Sequence, residues 1–180
     1  EHYPTPIAQT VFGREVHFHL RDNKILFVPF DDLVQRLRAT WETHAERLPV
    51  GQTTTETLGP IGDFRLQYEL GSEEKTLPTA NGAVTTRVVA LNRFWLLPVQ
   101  AGLGEPVEQA LRSDSQFAAA IKKYGPSDTT VSIWVYPESY AGFLELRKAL
   151  TEKGYRVAVW PLTTDQKISG SPDGLRATAQ

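Results

Sequence analysis

Val16, Phe18 and Leu20 alternate with Glu15, His17 and His19, the two-residue period of a strand that buries one face. Asp22 and Asn23 follow, residue types that tolerate positive φ, and Lys24 to Val28 returns as a second strand. This pairing predicts a β-hairpin. The period then changes. Phe30, Leu33, Val34, Leu37, Trp41 and Leu48 fall on one face of a helix, Asp31 and Asp32 suit its positive N-terminal end, and Pro49 with Gly51 stops it. A Thr-rich strand is expected near Thr53–Leu58, a turn at Gly59–Gly62, and another strand on the alternation of Phe64, Leu66, Tyr68 and Leu70. Residues 71–82 read as a loop. Val84 to Val99 reads as one long β-branched strand, bent near Asn92 and ended at Pro98.

Pro106 favours a short helix opening at Glu105-Pro106. Ser113 to Gln116 has the spacing of a capping box, opening a second helix that presents Phe117, Ile121 and Tyr124. Val131, Ile133 and Val135 then mark a strand, Ser139 to Lys153 a helix, Gly154 its stop, and Tyr155 to Trp160 another strand. A strand–helix–strand unit of this kind runs its strands parallel. The element order predicts the α+β class: a two-layer, mixed β-sheet with helices packed on one face. It contains an N-terminal β-hairpin–helix and a C-terminal βαβ unit. Residues 1–14 read as a lead-in, 15–162 as a single domain, and 163–180 as a polar tail whose large aliphatic residues are Ile168 and Leu175.

Composition narrows the chemistry. With 180 residues, 41% of them hydrophobic and 22% charged, the chain can bury a full core. Its 19 basic and 21 acidic residues leave a formal net charge of −2 and no basic run beyond pairs such as Lys122-Lys123, so no nucleic-acid partner is expected. The absence of Cys excludes disulfides, thiolate nucleophiles and Cys-ligated metals. Met is absent too, including at position 1, which leaves room for an anchor or signal peptide before Glu1. No membrane insertion is expected within the chain, since the apolar stretch Phe94–Val99 is far shorter than the ~20 residues a spanning helix needs.

His17 and His19 are the metal candidates, because i and i+2 on a strand share a face. A site needs a third ligand, and the spacing of His2 and His44 supplies none. The two are therefore expected on the outward polar face of their strand, without a metal. Asp31-Asp32 and Glu73-Glu74 are paired carboxylates, but each pair is adjacent in sequence, at a helix start and in a loop. Neither a Gly-x-Ser-x-Gly elbow nor a nucleotide-binding glycine motif is present, and no cofactor is expected. The segment Ala101 to Pro106 suggests a phosphate cradle without the Lys and spacing of one, so it reads as a turn. Trp134, Tyr136 and Trp160 form a docking platform for a partner or a sugar if their face is open. If an element covers them they are core, as is usual for parallel strands.

The stretches VHFHLRDNKILFVPFDDLVQRL, WVYPESYAGFLELRKALTEKGYRVAVWPL and GSPDGLRATAQ resemble an uncharacterised bacterial family, over most of residues 15–180. The order hairpin–helix, then strand–helix–Gly–strand, is similar to the periplasmic domain of the ExbD/TolR family. There, as in Lys24–Val28 before Phe30–Leu48, a strand leads into the helix, and the closing helix ends in a Gly, as Leu150 to Gly154 does. Residues 50–112 are additional to that pattern. The resemblance implies a non-enzymatic protein-interaction or assembly module of the periplasm or cell envelope, working with a protein partner or by self-association. The alternatives are a small-molecule or sugar-binding domain using the aromatic platform, and a metal-assisted hydrolase built on His17 and His19.

Overall fold

A computed structural model describes residues 14–79, 82–171 and 174–175. The hairpin forms as its sequence demands. β1 (Arg14–Arg21) pairs antiparallel with β2 (Lys24–Val28), and Asp22 and Asn23 turn the chain at φ of 51° and 54°. The turn is docked, not free. Asp22 N–H donates to Glu138 Oε1 at 3.2 Å, Asn23 N–H to Ser139 Oγ at 2.9 Å, and Val107 N–H to the Asn23 carbonyl at 3.0 Å. Helix α1 (Phe30–Ala45) follows, with Asp31 and Asp32 in its first turn and Leu33 and Leu37 buried.

β1 also pairs in parallel with β7 (Thr129–Val135), which pairs in parallel with β8 (Arg156–Pro161). The connection between those two is a 3-10 turn at Pro137–Ser139 and helix α4 (Tyr140–Glu152), the expected βαβ unit. Gly154, at φ 83°, stops the helix. A two-residue strand, β6 (Glu105–Pro106), completes a mixed sheet in the order β6-β2-β1-β7-β8. Helices α2 (Val107–Ala110), α3 (Gln116–Ile121) and α4 cover one face of it, over Val16, Phe18, Leu20, Val131, Ile133 and Val135. The α+β class and the mixed sheet with helices on one face are therefore as the sequence predicts.

The opposite face carries a second sheet, which the sequence reading does not contain. β3 (Thr53–Ile61), β4 (Phe64–Thr79), β5 (Gly82–Pro98), β9 (Ile168–Ser171) and β10 (Gly174–Leu175) form an antiparallel sheet in the order β10-β9-β5-β4-β3. Phe64, Leu66, Tyr68 and Leu70 all turn inward, pack on Trp134 and Tyr136 of the first sheet, and share this second core with Leu33 and Leu37 of α1. Residues 163–180, expected as a polar tail, supply β9 and β10, and Ile168 is buried in the inter-sheet core.

Residues 71–79 are strand, not loop. Beyond Ser72, β4 pairs with β5 alone among the described residues, so the two extend as a ribbon. The anticipated bend at Asn92 is a β-bulge. The register steps from Glu69↔Arg93 to Leu70↔Leu91, and Asn92 Nδ2 donates to Glu69 Oε1 at 3.0 Å. Gly71 makes room for it, since a Cβ there would lie 2.9 Å from Asn92 Nδ2. The helix expected to open at Ser113 instead starts after Ser115, whose Oγ accepts from Ala118 N–H at 2.9 Å. The acidic half of that cap comes from Glu105, which accepts from Gln116 N–H at 3.1 Å and Phe117 N–H at 3.0 Å.

Candidate functional site

His17 and His19 do not face outward. They are 4% and 6% exposed, because the polar-looking face of β1 is the face that meets the second sheet. His17 stacks on Trp134 with ring centroids 5.0 Å apart and lies 4.5 Å from the Phe30 ring. His19 meets Tyr136 and Phe64 edge-on. Burial lowers both pKa values to about 4. For His17 the nearby Asp31 carboxylate opposes this. For His19 the Arg21 charge adds to it, and Asp22 and Glu138 oppose it. At neutral pH each is an uncharged aromatic ring. The two lie at successive points of the inter-sheet core, and among the described residues no three His, Asp or Glu side chains are grouped to hold a metal. His44 is committed elsewhere: from the last turn of α1 its Nδ1 hydrogen bonds with the Tyr68 hydroxyl of β4. His2 lies outside the described residues.

Trp134 and Tyr136 are each 3% exposed and belong to the inter-sheet core, with Trp160 partly buried beside them. Tyr136 Oη donates to the Gln166 carbonyl at 2.6 Å. These rings are the covered alternative of the sequence reading and form no open platform. Glu73 and Glu74 are exposed on the ribbon, and Glu73 pairs with Lys75 at 3.7 Å. Asp31 and Asp32 begin α1. The segment from Ala101 serves as a turn into β6, held by Lys24 Nζ donating to the Gly102 carbonyl at 3.0 Å.

Two surface features bring together residues that their spacing in sequence does not group. The first is the edge of β8, the last strand of its sheet among the described residues. Val159 is in register with Ile133 and shares its helix-side face, yet it is 40% exposed. Helix α4 packs on β8 through its buried residues. Its Gly142 flank abuts Asn23 and Val107, so at ~100° per residue Tyr140 and Leu144 fall on the opposite flank, above β8. They are 51% and 47% exposed. An apolar patch thus borders a strand whose central residues, Val157 to Trp160, carry no charge.

The second is a cleft of about 180 Å³ where the hairpin meets α1. β1 runs past its last β2 partner, the pair His17↔Val28, and Pro29 carries the chain away into the helix. Arg14, Glu15 and His17 of β1, Asp31 and Asp32 of α1, and Tyr124 line the gap left there. His17 is its most buried polar lining residue, and His17 Nδ1 has no hydrogen-bond partner among the described residues. Alternation placed Glu15 and His17 on one face, but no periodicity signals the departure of β2 that opens the cleft.

No family model matches the chain, and no curated protein or solved structure matches it.

Proposed function

We propose that this chain is a non-enzymatic association module, working in the cell envelope, that pairs with a second copy of itself through the edge of β8. The observation that carries the reading is the coincidence of a strand edge, Val157 to Trp160, that carries no charge and has no further strand beside it among the described residues, with exposed Val159, Leu144 and Tyr140. Open edges in monomeric proteins are ordinarily blunted by charge, by a bulge or by a covering segment. Here Arg156 is the one charged residue of β8, at its start, and Pro161 lies at its end. Neither interrupts the middle of the strand.

The geometry is also self-complementary. An antiparallel second copy centred on Val159 sets Val159 against itself and Val157 against Pro161 on the helix-side face. That arrangement brings the α4 flanks of the two copies together and hides Tyr140 and Leu144. Strand addition of this kind supplies main-chain hydrogen bonds along the edge and apolar burial beside it.

Sedimentation equilibrium from micromolar to sub-millimolar protein tests this. A dimer is expected, and Val159→Asp or Leu144→Glu should weaken it by at least about tenfold while leaving the circular dichroism unchanged. A monomer throughout that range, or a dimer indifferent to both substitutions, overturns self-pairing at β8.

A further inference from the structure

The cleft beside α1 has the chemistry of a ligand site. Its charged lining is unbalanced: three carboxylates, on Glu15, Asp31 and Asp32, against the single guanidinium of Arg14. That guanidinium lies over the Tyr124 ring, 5.0 Å from its centroid. Glu15 accepts a hydrogen bond from the buried Ser132 hydroxyl, which fixes one carboxylate at the rim. Asp31 and Asp32 are exposed and oppose the positive N-terminal end of α1. In the floor lies His17, 4% exposed, with an imidazole nitrogen that nothing among the described residues satisfies.

A buried polar nitrogen without a partner is unusual in a folded protein and calls for an explanation. A carboxylate rim, a neutral imidazole in the floor and apolar walls from Phe27, Val28 and Phe30 suit one class of ligand. We propose that this cleft binds a small organic cation, an alkylammonium whose N–H groups donate to the Asp31 and Asp32 carboxylates and to His17. Its short apolar chain lies along Phe27 and Phe30. A bare metal ion fits less well, because the acidic and imidazole groups are spread around the cleft and do not converge as a ligand set. An inorganic or carboxylate anion meets the wrong sign of charge. Pairing at β8 involves none of these residues, so the site stands or falls independently of self-association.

n-Butylammonium chloride, titrated into the full chain at pH 7 and followed by ¹H–¹⁵N correlation of the histidine rings and backbone, tests the proposal. Saturable millimolar binding is expected, with shifts concentrated at His17, Asp31 and Asp32. The exposed double variant Asp31→Asn/Asp32→Asn should keep its fold and bind at least fivefold more weakly, the loss of two charge-assisted hydrogen bonds being the cause. His17→Phe tests the floor separately, and it should lower affinity while leaving the rest of the spectrum in place. Equal binding by the double variant overturns the proposal. So does an n-butyrate titration that moves the same signals as strongly, or Zn²⁺ or Ca²⁺ binding these residues more tightly than the amine.

Discussion

His17 and His19 show how one side chain can read as surface and behave as core. In sequence they occupy the polar phase of an alternating strand, and only the second sheet reveals that this phase is buried. Their folded-state pKa values of about 4 lie below the ~6.5 expected of an unfolded chain. Between those values the unfolded state therefore binds more protons than the folded state. The stabilisation is fully present above pH 6.5 and is lost as the pH falls towards 4. A shift of that size corresponds to about 3 kcal/mol per histidine. Urea midpoints measured at pH 7, 6 and 5 should fall steeply, and His19→Phe should flatten the decline. A wild-type midpoint constant across that range would show that the two rings are not held neutral. Glu105 is a second residue whose role was hidden, because its cap reaches α3 from 11 residues away rather than from the adjacent turn.

Elements were legible where one face is apolar and the other is not. The hairpin, α1 and the β7–α4–β8 unit satisfy that condition, and each was anticipated within a few residues. The ribbon fails it. Glu73, Glu74, Lys75 and Thr76 are exposed, so no burial period marks them as strand, and β5 across the ribbon supplies the pairing. The length of α1 differs for a related reason. Leu48 is buried and continues the apolar face, but the helix ends at Ala45, and Arg87 Nη1 donates to the Leu48 carbonyl at 2.7 Å in the following turn. Within α1, Leu37 is buried against the second sheet. Leu37→Ala should cost about 2–5 kcal/mol in denaturant titration, the range for a truncated core leucine. A loss below about half a kcal/mol would place that face outside the core.

At the scale of the molecule, a local pattern could not say that the first sheet is covered on both sides. Trp134 and Tyr136 were open to either reading because their burial depends on strands far away in the chain. The candidate sites were less legible still. The β8 patch joins two elements through the angle at which α4 crosses the sheet, and the cleft arises where β2 departs from β1. Both are relations between elements, which residue spacing does not encode.

The placement of β9 has a consequence for how the chain comes into being. Among the described residues every strand of the first sheet lies between Arg14 and Pro161, whereas the second sheet gains β9 and buries Ile168 only when residues 168–171 arrive. During synthesis from the N-terminus, the helix-covered half can therefore close while β5 still shows a bare edge at Phe94–Leu96. A nascent chain stopped after Leu162 should bind a hydrophobic dye such as ANS and yield to protease within β3–β5, and the full chain should do neither. Equal resistance in the two would mean that the sandwich closes without its final strand, leaving the C-terminal residues as an addition to a finished fold.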